Sequence, residues 1–125
     1  MSFRRPTSVR LPVAELERAL DFYHGRLNLP VALRVDDRAE LQTETIRLEL
    51  IEMSELEATP VSPLAAAICW EVDDLAATAA RLTEAGLELD EERDLGVLGR
   101  RRGFVDPDGH LLELVEYPDG RGAPS

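Results

Sequence analysis

The chain contains no lysine; all fourteen basic residues are arginine. That excludes Schiff-base chemistry and, with it, a lysine-anchored pyridoxal phosphate. A single cysteine, Cys69, allows no internal disulfide and fits a reducing compartment. No apolar run approaches the roughly 18 residues that cross a bilayer. Met1 to Pro6 carries arginines with no apolar segment behind them, so neither a membrane span nor a secretory leader is expected. Basic residues are outnumbered by 25 Asp and Glu, for a net charge of −11, which removes the cationic footprint that nucleic-acid phosphates need. Histidine is scarce at two residues, and aromatics make up only 5%. These absences leave a cytoplasmic protein whose expected partner is a small molecule, with no nucleic acid and no membrane.

The 125 residues suit one ordinary domain. Their most informative stretch is Asp106-Pro107-Asp108-Gly109-His110-Leu111-Leu112-Glu113-Leu114-Val115-Glu116. Asp-Pro-Asp-Gly predicts a turn, since Pro107 pre-sets φ and Gly109 takes a positive φ freely. A strand follows that is apolar except at its two glutamates. A lone carboxylate is costly to bury there, so Glu113 must line a wet cavity, pair with a cation or bind a metal.

Ile46-Arg47-Leu48-Glu49-Leu50-Ile51-Glu52 repeats that strand at an offset of 64 residues, and Leu11 to Leu16 matches Trp70 to Leu75 at an offset of 59. The pair of offsets indicates a duplicated unit of about 60 residues, present as paired modules rather than an array. Module one spans about 8–52 and module two about 65–117, with a Pro- and Ser-containing linker at 53–64.

Each module reads as β-α-β-β-β. In the first, Val9, Leu11 and Val13 alternate as a half-buried strand, and 15–27 carries Leu16, Ala19, Leu20, Tyr23 and Leu27 at helical spacing. Asn28 suits a left-handed helix end and Pro30 stops continuation. Strands are expected at 31–35 and 39–43, joined at Asp36-Asp37, and at 45–52. In the second, a strand at 66–72 precedes a helix capped at Asp73 or Asp74 and ended by Gly86. Strands at 87–91, 99–105 and 110–117 follow, and 118–125 reads as a polar tail. The fold class is α+β, with helices packed on one side of a curved sheet.

This order resembles the vicinal oxygen chelate superfamily, the glyoxalase, bleomycin-resistance and extradiol dioxygenase group. The resemblance is carried by Val13 to Ala19 with Phe22-Tyr23, by Glu71 to Leu75, by Asp106 to Gly109 and by Leu112-Glu113-Leu114. It implies two tandem modules forming a cup-shaped sheet around a ligand, and a homodimer. Metal-dependent members draw ligands from four strand positions, which correspond here to Ser8, Glu49, Ala67 and Glu113. Both carboxylates are present and both histidines are replaced. Two carboxylates are too few for a tight divalent site of the imidazole–carboxylate type, so no metal and no cofactor is expected.

Strand parity places Ser8, Arg10, Arg47, Glu49, Ala67, Cys69 and Glu113 on the ligand face, and Leu11, Leu48, Leu50, Ile68 and Trp70 toward the helices. Arg10, Arg47, Glu49, Cys69 and Glu113 are the candidate ligand-binding residues. Arg10 and Arg47 either grip a carboxylate or phosphate or neutralise Glu49 and Glu113. Cys69 is expected as buried packing, His110 as a solvated turn residue, and the acidic run 88–94 as an exposed strand edge. In Arg100-Arg101-Arg102, Arg101 should point opposite to its neighbours. The function expected is a metal-free small-molecule-binding protein of the glyoxalase/bleomycin-resistance type. The alternative is a lyase, isomerase or dioxygenase using Glu49 or Glu113 as a base or weak metal ligand.

Overall fold

The computed structural model describes residues 3–53 and 66–118. The expected linker and polar tail lie almost wholly outside the described residues. The chain divides into two compact units, 1–61 and 62–125.

The first unit holds β1 (Ser8–Val13), a helix, β2 (Val31–Val35), β3 (Arg38–Gln42) and β4 (Arg47–Glu52) in one sheet of order β1-β4-β3-β2. β1 and β4 run parallel, and the remaining pairs are antiparallel. Leu11, Val13, Ala39, Leu41, Leu48 and Leu50 are buried on one face of this sheet, as are Leu16, Ala19, Leu20, Phe22 and Tyr23 of the helix. Full burial of one leucine side chain contributes roughly 1.5–3 kcal/mol, so this period-2 stripe is what fixes the register. α1 (Leu16–Leu20) continues as a π-helical stretch, Asp21–Arg26, in which the N–H of Leu27 donates to Phe22 O. Asn28 ends it in the left-handed conformation, φ 62°. His24 Nδ1 donates to Leu29 O at 2.8 Å, closing the same end.

The second unit repeats the plan with β5 (Ala67–Glu71), α2 (Leu75–Glu84), β6 (Arg93–Asp94), β7 (Arg100–Val105) and β8 (Leu111–Glu116), in the order β5-β8-β7-β6. β5 and β8 are the parallel pair. Asp74 caps α2 by accepting from the Ala77 N–H at 3.0 Å. Gly86, at φ 92°, ends it; the N–H groups of Gly86 and Leu87 return to Thr83 O and Leu82 O, a Schellman closure. In the Asp-Pro-Asp-Gly turn, buried Asp106 accepts from the N–H groups of Asp108 and His110, and Gly109 has φ 86°. The duplicated α+β plan is therefore present in both units. Among the described residues, no helix is long and apolar enough to cross a membrane.

Two expectations are corrected. Residues 87–91 do not form a strand; the sheet edge is the two-residue β6. Asp90 explains this: its carboxylate takes the Gly103 N–H at 2.6 Å, the donor that a continuing ladder would need, and its own N–H reaches Gly103 O. A side chain has replaced backbone pairing. Trp70, expected in the core, is only half-buried.

The outer glutamates of the repeat, Glu52 and Glu116, perform the same task in their own units. Glu52 accepts from the Leu16 N–H and Glu116 from the Leu75 N–H, each at 2.8 Å. Each satisfies an otherwise orphaned donor at a helix start and places a negative charge at its positive end. Glu52→Ala is expected to cost about 1 kcal/mol, read by urea unfolding. Glu116→Ala should accelerate exchange of the Leu75 amide, and an unchanged amide would contradict the capping role.

Candidate functional site

In β4, Glu49 and Glu52 have opposite parity, so Glu52 turns to the helix and Glu49 to the other face. Pairing register places Arg10 beside Glu49 across β1–β4, and Glu40 beside it across β3–β4. Glu49 is nearly enclosed, at 14% exposure, by two guanidiniums that reach the same oxygen. Arg10 Nε and Arg38 Nη1 each lie 3.2 Å from Oε1. Arg47 does not take part in this contact. It donates to Glu40 Oε1 at 2.7 Å, because its own partner in the register is Gln42, two residues along β3 from Glu40.

The second unit builds the same arrangement from a different donor set. Glu113, at 13% exposure, accepts from Arg93 Nη2 and Arg101 Nη1, each at 3.0 Å. Arg101 stands opposite Val115 in β8, two residues beyond Glu113, just as Arg38 stands opposite Ile51, two residues beyond Glu49. These two arginines are thus duplicated along with the glutamates. Arg93 reaches in from the edge strand, and its other carboxylate neighbour is Asp90 at 3.8 Å. Arg101 also lies 3.8 Å from Cys69 Sγ and 6.0 Å from the Tyr117 ring centroid.

Burial pushes the Glu113 carboxyl up, but hydrogen bonds from Arg101 and Arg93, with their charges, outweigh it and hold the group below the ordinary 4.5. Glu116 is also held low, first by the Leu75 N–H and then by Arg100. Glu116 pairs with Arg100 on the helix side while Glu113 pairs with Arg101 on the other, the alternation expected of the arginine run.

Of the sequence-predicted residues, Arg10 and Glu49 come together, as do Cys69 and Glu113, which are register partners. Arg47 joins Glu40 instead of either repeated glutamate. Cys69 is exposed and not buried, because its strand alternates and its side is the polar one. His110 is half-buried. Arg38, Arg93 and Arg101 complete the site, and no candidate set drawn from parity alone contained them. The signal for Arg38 and Arg101 was their separation of 63 residues, close to that of the glutamates. Arg93 carries no comparable signal.

The resemblance assigns the histidine positions to Ser8 and Ala67, which carry no imidazole, and the groups touching each glutamate are cationic donors. Among the described residues, no group of three or more His, Cys, Asp or Glu side chains lies together. The residues present do not fit a divalent ion of the family type. The second unit also holds an open depression of about 430 Å³ lined by Asp94, Val97, Arg100, Glu116, Tyr117 and Pro118, among others. Neither Glu113 nor Arg101 lines it.

Residues 5–114 match the family described as Glyoxalase/Bleomycin resistance protein/Dioxygenase superfamily. Among solved structures, a glyoxalase/bleomycin resistance protein/dioxygenase from Nocardioides aligns at TM-score 0.80 and 19% identity, over 100% of this chain and 91% of its own. TnmS3, an antibiotic binding protein from a Streptomyces species, aligns at 0.76 and 23% identity over 94% and 99%. A lactoylglutathione lyase from Agrobacterium tumefaciens aligns at 0.73 and 15% identity over 92% and 95%. At these identities the likeness is one of fold. Comparison with curated protein sequences finds no match.

Proposed function

The chain belongs to the glyoxalase/bleomycin resistance/dioxygenase superfamily, and from that premise we propose that it is a metal-free small-molecule-binding protein. The observation that carries this reading is that each repeated glutamate is enclosed by two arginines. The ligand contacts come from Arg10, Arg47, Glu49, Cys69 and Glu113, joined by Arg38, Arg93 and Arg101. Arginine–carboxylate pairs supply oriented hydrogen-bonding groups on one face of each sheet. A solved relative of similar fold, TnmS3, is an antibiotic binding protein, which supports the same class of activity.

A lyase or isomerase reading in which Glu113 abstracts a proton is weaker. A carboxyl held below its ordinary range is a poor acceptor near neutral pH, and both of its oxygens already accept from arginine. The proposal includes a homodimer: β2 is the last strand of its sheet, with one side of its backbone unpaired, and such edges call for cover.

The test is a thermal-shift and calorimetric screen of chelator-treated protein. The panel contains Ni²⁺, Zn²⁺, Mn²⁺ and Fe²⁺, cationic glycopeptide and aromatic drugs, and small carboxylates. An organic ligand should raise the melting temperature by mass action while the metals leave it unchanged. A strong metal response abolished by Glu113→Gln would overturn the metal-free reading.

A further inference from the structure

Among the described residues of β1, β3 and β4, Arg10, Arg38 and Arg47 share one sheet face with two carboxylates, Glu40 and Glu49. This local excess of cation occurs in a chain whose net charge is −11. The layering is also unequal. Glu49 lies beneath, at 14% exposure, while Arg10 and Arg38 are 61% and 51% exposed above it. A ligand approaching this face meets guanidinium first.

The two arginines hold Glu49 with only one nitrogen each, Arg10 with Nε and Arg38 with Nη1. The two terminal nitrogens of Arg10, and Nε and Nη2 of Arg38, remain as donors with no partner among the described residues. Two such forks converging from β1 and β3 match the oxygens of a carboxylate or phosphate.

Beside them on the same face stand apolar groups. Leu33 pairs with Glu40 and Val35 with Arg38 across β2–β3, and the two residues are 49% and 51% exposed. β2 lies two strand spacings from β4, roughly 10 Å, so a molecule headed at the arginines reaches these side chains with an extended apolar body.

We infer that this face of the first unit binds a small amphiphilic oxyanion, with its carboxylate or phosphate on Arg10 and Arg38 and its apolar body on Leu33 and Val35. The inference rests on the small-molecule-binding reading and assigns the ligand's charge and shape within it. Glu49 is then the counterion that orients the arginines and weakens the site, not the anchor.

The experiment is calorimetric titration of the full chain with octanoate, octyl phosphate, octyltrimethylammonium and acetate, at low and high salt. Octanoate and octyl phosphate should bind, and more weakly at high salt. The quaternary ammonium, which shares their tail, and acetate, which lacks it, should each bind at least tenfold more weakly. Arg10→Ala with Arg38→Ala should lower octanoate affinity at least tenfold, and Leu33→Ser severalfold. Glu49→Gln should raise it severalfold, a gain that a merely structural salt bridge would not produce.

Preference for the ammonium, indifference to the arginine substitutions, or loss of octanoate binding in a folded Glu49→Gln protein would each overturn the inference. Preference for the ammonium would still leave a small-molecule-binding protein. Silence toward all four probes would overturn the oxyanion assignment, and the broader reading falls with it only if the wider drug and carboxylate screen is silent too.

Discussion

Replacing Gly99 by alanine is expected to destabilise the protein by about 3–5 kcal/mol, against about 1 kcal/mol for the same change at Gly96. Gly96 opens the short 3₁₀ turn Gly96–Leu98 before β7 and Gly99 follows it, and both have positive φ, 62° at Gly96 and 90° at Gly99. Their surroundings differ. Gly99 has ψ 171°, a combination open almost only to glycine. A β-carbon there would lie 2.8 Å from the backbone oxygen of Glu116 and 2.8 Å from Val115 Cγ2. The first of these is main chain in the central strand β8 and cannot move aside without disturbing the sheet. At Gly96 nothing lies within 4 Å of the added carbon, so only the left-handed backbone cost applies. Urea unfolding of the two variants checks this directly. Equal losses would mean that the close approach of the turn to β8 is not a constraint on the fold. The approach matters to the site because Gly99 delivers the chain into Arg100 and Arg101, one directed to Glu116 and the other to Glu113.

The second large effect concerns Glu113. In the wild-type protein its folded-state pKa lies below the unfolded value. Its contribution to stability is therefore fully present above about pH 4.5 and lost as pH falls through the folded pKa. Removing both cations, by Arg93→Ala with Arg101→Ala, takes away the hydrogen bonds and charges that hold the carboxyl low. The variant therefore loses this pH-dependent stabilisation. A loss of about 2 kcal/mol is expected at pH 7, from leaving the carboxylate without its donors. The gap to wild type should narrow as pH falls below about 4.5 through the wild-type folded pKa. Adding Glu113→Gln to the same background should recover much of the loss, since the uncompensated charge is gone. Parallel urea titrations at pH 7 and pH 3 decide the matter: a loss that is the same at both values would show that the arginines act through packing rather than charge.

The amino-acid sequence by itself determined the duplication, the βαβββ order of each unit and the two-sided character of the glutamate strands. Those features rest on local physics. Period-2 alternation sorts Glu49 from Leu48 and Leu50, Asn28 and Gly86 accept the left-handed backbone that ends a helix, and Asp106-Pro107-Asp108-Gly109 closes a turn with its own side chain. Parity also placed Arg10 on the face of Glu49. The tertiary structure alone decided which charge meets which. Arg47 serves Glu40, Arg38 and Arg10 share one oxygen of Glu49, and Arg93 comes from a two-residue edge strand to reach Glu113. Parity assigns a side chain to a face but does not say which neighbour lies beside it, because that depends on the register between strands up to 39 residues apart. The same limit explains residues 87–91. Their composition suits an exposed strand, yet the Asp90 carboxylate captures the Gly103 N–H, a competition that exists only once β7 has been brought alongside.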